Sequence, residues 1–533
     1  MRKHLARQLI MKKPRFPTLF LVYIVAIVCI GAGYWRVMAA AEAPASVQQA
    51  RVPRMFPDYN GVVIPPNIGP LNFKVEEPGV RYRVELRSTR GDPLIIASRS
   101  ASIRIPAKPW QALLRTNAGE QLFCAVWVQA PRGPWSRFAP VTNFIARETI
   151  DSYLVYRRLK PLYNLYVNLG IYQRNLESFD ERSLLENGKI DHACLNCHTF
   201  LNHQPDTFAL HIRATNNNNL NPMLLVRSNT VARVDKTMGY LSWHPSGRLL
   251  AFSANKLSLF YHTINTNETR DVFDGRSDLG IYWIDSNRVV MPPAIALPDR
   301  NETWPAWSPD GRYLYYCSAP VLPREQFFNV RYDLMRVGFD IEQDRWGEPM
   351  VVVSAQQAGG SICQPKVSPD GRFVLFCLCR YGNFPIYQPS SDLCMMDLTT
   401  HEVRRLEINS DQSDSWHCWS SNGRWLVFSS KRLDGLFARP FFSYMDEQGR
   451  FHKPFLLPQE DPTYYDTCLQ TFNVPELVQG PITVKESELA QAVSKPKKVF
   501  APTADSQPAS HQEKTGGDEE RDNSGYMSRY GNK

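Results

Sequence analysis

Residues 191–203 read DHACLNCHTFLNH: two cysteines, Cys194 and Cys197, separated by two residues, with His198 directly after the second. Thiols at that spacing have several chemical uses. They can add to the two vinyl groups of a porphyrin while the histidine ligates its iron. They can hold zinc with two of His192, His198, His203 and His211. They can also close a disulfide, or act as a thioredoxin-like redox pair, although that last use expects a βαβ context that the flanking sequence lacks. The choice turns on compartment, because thiolate zinc sites are commonest where thiols stay reduced, and exported chains seldom keep free thiol pairs.

The compartment is read at the N-terminus. Residues 1–15 carry Arg2, Lys3, Arg7, Lys12, Lys13 and Arg15 with no acid, and the apolar run FPTLFLVYIVAIVCIGAGYW follows at 16–35. Such a run is about long enough to cross a bilayer core of roughly 30 Å. Positive charge stays inside, so 1–15 is expected in the cytoplasm and everything after Trp35 beyond the membrane. A signal peptide cleaved near VMAAAEA is the alternative, but its apolar core is usually about 7–15 residues, shorter than this one.

Beyond the membrane the haem use leads: one covalent haem c on Cys194 and Cys197, its iron held by His198. Axial side chains on opposite haem faces set their backbones on the order of 12 Å apart, with a detour around the porphyrin edge. His203 spans at most about 17 Å from His198, which leaves little for that detour. His211 reaches easily and is the expected distal ligand. Met223 is the alternative, and would raise the reduction potential. An open iron position is the third case.

These residues need elements to position them. Hydrophobic content of 43% and 12% aromatics describe a mostly globular chain, and the net charge of +9 owes part of its size to residues 1–15. Nothing in it resembles a nucleic-acid patch. Residues 55–148 alternate short strands with turns, as in an immunoglobulin-like β-sandwich. Residues 149–212 carry Tyr and Leu at spacings of three and four, which predicts a short helical segment around the cysteine motif. Four copies of one sentence follow: SWHPSGRLLAFSA from Ser242, AWSPDGRYLYYCS from Ala306, KVSPDGRFVLFCL from Lys366 and CWSSNGRWLVFSS from Cys418. Each joins a tight Pro-Asp-Gly-type turn to an alternating strand. With the strand-like pieces between them they predict a C-terminal β-propeller of about six blades over 213–478. Trp243, Trp307 and Trp419 recur at one blade position and are expected to pack between blades. Cys379 with Cys394, or Cys418 with Cys468, could bridge neighbouring strands. Residues 479–533 are polar and expected to be a disordered tail. The fold class is mainly β throughout.

The Pro-Asp-Gly-Arg repeats resemble the TolB-like, WD40-like propeller repeat. In order, the anchor, sandwich, CLNCHTF, FALHIR and propeller resemble membrane-anchored bacterial proteins in which such a propeller follows a cytochrome-c-like segment. The resemblance implies an inner-membrane, single-pass protein with its bulk in the periplasm, haem binding, and contact with an envelope or redox protein at a propeller face. The expected function is haem-dependent electron transfer or redox sensing, with the propeller as docking scaffold. One alternative is a haem-independent TolB-like scaffold, whose cysteine pair is a clip. The other is a peroxidase or reductase with an open iron. No P-loop, HExxH or GxSxG motif argues for different chemistry.

Overall fold

The computed structural model describes residues 36–37, 43–160, 168–213, 221–261 and 270–494. The apolar run at 16–35 lies outside them, and no helix among the described residues is long and apolar enough to cross a membrane.

The N-terminal unit is a β-sandwich. One sheet runs in the order Arg36–Val37, Leu94–Ser98, Arg81–Arg87, Gln121–Gln129, Trp135–Arg137, Ser46–Gln48, with Val141–Ile145 and Val63–Ile64 attached. A second, three-stranded sheet joins Met55–Phe56, Phe73–Val75 and Ser102–Ile103. Burial alternates along the strands: Val141, Asn143 and Ile145 turn inward while Thr142 and Phe144 do not. One helix, Ala107–Thr116, lays Trp110, Leu113 and Leu114 on the core.

The rest of the described chain is a propeller of six four-stranded antiparallel blades, blade 4 carrying one extra strand. Their inner strands are Thr471–Val478 (blade 1), Cys194–Phe200 (blade 2), Gly239–Trp243 (blade 3), Arg300–Trp307 (blade 4), Ser361–Val367 (blade 5) and Asp414–Trp419 (blade 6). Each packs beside the next, and blade 6 returns to blade 1, so the ring is closed. Blade 1 is stitched from both ends of the unit: Thr471–Val478 pairs antiparallel with Tyr153–Leu159, which is followed by Gly170–Asn175 and Glu181–Glu186. The repeated turns are self-supporting. In blade 4, Gly311 N–H donates to Ser308 O (2.9 Å), Arg312 N–H to Asp310 Oδ1 (3.1 Å) and Tyr313 N–H to Ser308 Oγ (3.0 Å). The blade-spanning tryptophans behave as expected: Trp243 Nε1–H reaches Thr199 O across blades 2 and 3, and Trp419 Nε1–H reaches Lys366 O across blades 5 and 6.

Three expectations are corrected. The helical segment at 149–212 is built of strands, forming most of blade 1 and the first half of blade 2, so the propeller begins at Tyr153 and not at 213. Its Tyr and Leu residues satisfy a helical period, but those among the described residues, such as Leu154, Tyr156 and Tyr172, bury on sheets held by long-range pairing. The tail does not begin at 479: Ile482, Val484 and Leu489 are buried against blades 1 and 2, and Glu486–Ser494 is a helix. Residues 495–533 lie outside the described chain. The proposed disulfides are absent among the described residues: Cys379, Cys394, Cys418 and Cys468 are free thiols.

Candidate functional site at the propeller axis

Each inner strand carries an irregularity where it faces the axis. Tyr240–Leu241, Trp304–Pro305, Gln364–Pro365, Trp416–His417 and Val474–Pro475 each set two residues against one on the neighbouring strand. The first of each pair has a left-handed backbone, with φ of 46°, 56°, 55°, 49° and 49°. Side chains rarely accept that conformation, which costs of order 1–2 kcal/mol per residue, and such strain gathers at functional sites. In blade 2 the bulge sets Asn196 and Cys197 opposite His211.

The blades can be aligned through their tryptophans. Thr199 in blade 2 and Lys366 in blade 5 accept from the same position of the following blade, so they are equivalent. His198 therefore occupies the place of Leu241, Pro305, Pro365, His417 and Pro475 around the axis. A cavity of about 60 Å³ lies there, lined by His198, Gln364, Lys366, Trp416, His417 and Glu476 together with the prolines and aromatics of the other bulges. Tyr240 stacks on Trp304 at 3.7 Å, and Trp304 meets Trp416 edge-on at 5.2 Å.

His198 is 3% exposed, and neither ring nitrogen has a hydrogen-bond partner among the described residues. Burial, and then the Arg157 guanidinium, push its pKa down to about 3; the backbone of Val474 and Val155 opposes this without meeting the ring at bonding geometry. His211 is 4% exposed and equally unpartnered, and burial followed by Arg213 takes it to about 3. The other two buried histidines are engaged. His417 contacts Leu375 O (3.3 Å) and Cys377 Sγ (3.6 Å), and His244 meets Ser246 Oγ (2.8 Å) and Gly311 O (3.1 Å). Burial pushes the Glu476 carboxyl up, with Lys366 opposing, and its Oε1 accepts from Phe200 N–H at 3.0 Å.

The residue types around CLNCH suit an iron porphyrin, but their arrangement does not. His198 pairs with Leu210 and shares its face, turned toward blade 1, whereas His211 pairs with Met223 on the opposite face, turned toward blade 3. Two ligands on opposite faces of one sheet cannot close on one iron. Met223 shares the His211 face and fails with it. Cys194 is packed in the apolar cluster between blades 1 and 2, and the Cys197 side chain lies outside the described atoms. The zinc set fares no better: His192 is exposed, His203 Nδ1 meets Leu477 O at 2.9 Å, and no cluster of three metal-ligating His, Cys, Asp or Glu side chains exists among the described residues.

Gln364, Lys366, Trp416 and Glu476 were missed by motif. A signal existed: Ser242, Ala306, Lys366 and Cys418 head the four repeats, and that first letter varies while the turn after it recurs.

No family model and no curated protein matches the chain. Among solved structures it is similar to a puromycin-hydrolyzing peptidase of Mycobacterium tuberculosis, with 13% identity, covering 50% of this chain and 39% of that one, at a TM-score of 0.32. It is also similar to an auxiliary nutrient binding protein of Bacteroides thetaiotaomicron, with 11% identity, 73% and 99% coverage and a TM-score of 0.32. The β-propeller domain of the Trilobed protease of Pyrococcus furiosus gives 10% identity, 61% and 80% coverage and a TM-score of 0.29. The propeller here is defined by its own strand order and ring closure, and likenesses at these TM-scores add nothing to it.

Proposed function

We propose that this chain is a haem-independent, TolB-like scaffold, tethered to the inner membrane by residues 16–35 and holding an envelope protein against its periplasmic body. One observation carries the reading: sandwich and propeller share a continuous core, running from Tyr59, Val62 and Ile68 to Trp425, Phe442 and Phe455, and frame a cleft of about 610 Å³ at their junction. The cleft presents Phe144, 39% exposed, amid Arg147, Glu148, Arg424, Glu447 and His452. An exposed aromatic ringed by charges of both signs suits a protein partner. Photo-crosslinkers placed at Phe144 and Gln448 in cells are expected to capture one envelope protein, while a crosslinker at Val403, exposed on blade 5, does not. Capture at all three positions alike, or loss of capture in a Cys194→Ala/Cys197→Ala variant, would sink this reading.

A second reading keeps covalent haem on Cys194 and Cys197 with His198 on the iron. It is favoured by the four unpartnered ring nitrogens of His198 and His211, since orphaned buried polar atoms often mark a missing ligand. It requires Cys194 to leave its apolar cluster. Haem staining of the denatured, exported protein decides it: a stained band absent from the Cys194→Ala/Cys197→Ala variant supports haem, and an unstained band excludes it.

A further inference from the structure

The axial cavity gathers hydrogen-bond donors that have nothing to donate to. Gln364 is 4% exposed, and its Oε1 accepts from Trp416 N–H (2.9 Å) and from Cys377 Sγ (3.4 Å). Those two donors fix the amide orientation, so the other end is the NH₂, and Nε2 is unpartnered among the described residues. Trp416 Nε1–H, on the next blade, is likewise unpartnered, and so is the His198 ring, which when neutral carries one N–H donor and one acceptor nitrogen. Lys366, half-buried and lining the same cavity, has no side-chain hydrogen bond or ion pair at bonding distance among the described residues, and its charge acts on the Glu476 carboxyl across the cavity. The one carboxylate there, Glu476, already accepts from Phe200 N–H. Each unpaired buried donor costs about 1–3 kcal/mol, so three around one small cavity, the Gln364 amide, the Trp416 indole and the single N–H of the neutral His198 ring, point to a missing acceptor.

We propose that the propeller axis binds a small organic carboxylate, held by Lys366, Gln364, Trp416 and His198 from blades 2, 5 and 6. An ionised carboxylate offers two oxygens with about four acceptor sites and no donor, enough for these three donor groups and the Lys366 ammonium. The rest of the lining, Pro305, Pro365, Pro475 and the Tyr240–Trp304 stack, is apolar and accommodates a short carbon stub. A tetrahedral dianion such as phosphate would turn oxygens onto those prolines without donors. The cavity of about 60 Å³ limits the ligand to a few heavy atoms. Burying the anion is tolerable because the Lys366 charge and the surrounding N–H groups replace its water.

The test is titration of the full chain with acetate and with propionate against chloride at constant ionic strength, read by tryptophan fluorescence and calorimetry, since Trp304 and Trp416 border the site. Saturable binding of both carboxylates is expected, with inorganic phosphate at least tenfold weaker. Lys366→Met should weaken binding at least tenfold, and Gln364→Glu, which replaces a donor by an anion, should abolish it. Lys366 is half-exposed, so its variant keeps the test valid should Gln364→Glu fail to fold. No saturable response from the folded protein at decimolar carboxylate would mean that the donors are served by water alone, and unchanged affinity in Lys366→Met would overturn the site. Crosslinking at the junction cleft and binding at the axis succeed or fail independently.

Discussion

At the scale of single residues, His198 and His211 are the points where burial and chemistry conflict. Folding keeps both imidazoles neutral with pKa values near 3, while the unfolded chain protonates them near the ordinary value of 6.5. The unfolded state therefore takes up more protons as pH falls below about 6.5, and stability present above that pH is lost down to about 3, at roughly 1.4 kcal/mol per pH unit for each histidine. The aligned blades suggest the substitutions: His198→Leu copies Leu241, and His211→Ser copies Ser253. Each is expected to flatten the fall of unfolding free energy between pH 6 and pH 4 by about that slope, measured by denaturant titration across pH. An unchanged slope would mean that the rings are reached by water or ligand in the folded state. The sequence singles out these two histidines as haem ligands, and in the fold they are the buried histidines whose ring nitrogens have no partner among the described residues. It could not place them on opposite faces, because a bulge at Asn196–Cys197 resets the alternation on which side-chain direction depends.

At the scale of elements, the repeated turn is the unit to probe. Gly311, Gly371 and Gly423 occupy the same turn with φ of 71°, 71° and 68°. Alanine at any of them accepts a left-handed backbone at a cost of about 1–2 kcal/mol. Their surroundings differ. A Cβ at Gly311 would stand 2.4 Å from His244 Nε2, whereas at Gly371 and Gly423 the nearest atoms are proline carbons at 3.5 Å. Gly311→Ala is therefore expected to lose at least twice the stability of Gly371→Ala, by chemical denaturation, and equal losses would place the cost in the backbone alone. The turn also explains which blades could be read in advance. Blades 3 to 6 announce themselves through Pro-Ser-Gly, Pro-Asp-Gly or Ser-Asn-Gly at fixed spacing. Blades 1 and 2 lack it, joining their inner strands through longer connections or across the chain ends, so a helical period in Tyr and Leu stood in for the missing signal.

At the scale of the whole molecule, two closures determine whether the chain behaves as one body. The first is the ring: without Thr471–Val478, blade 1 loses its inner strand and Tyr153–Leu159 becomes an open edge. A chain ending at Gln470 is expected to yield no soluble monomer by size exclusion, and a folded monomer would show that five complete blades suffice. The second is the junction. Asn72, 2% exposed, donates Nδ2–H to the carbonyls of Gln459 (3.3 Å) and Glu460 (2.9 Å) in the propeller while its Oδ1 accepts from Ile105 N–H (2.8 Å) in the sandwich. Asp151 supports the same joint from the other side, accepting from Ser421 N–H (2.8 Å). A core shared across that joint predicts one unfolding transition for both units. Asn72→Ala strands buried backbone groups on both sides, at about 1–3 kcal/mol each, and should split the calorimetric trace in two, the sandwich melting first because it has the smaller core. A single transition in the variant would mean that the shared apolar contacts alone couple the units; two transitions in the parent would remove the rigid cleft on which the scaffold reading depends.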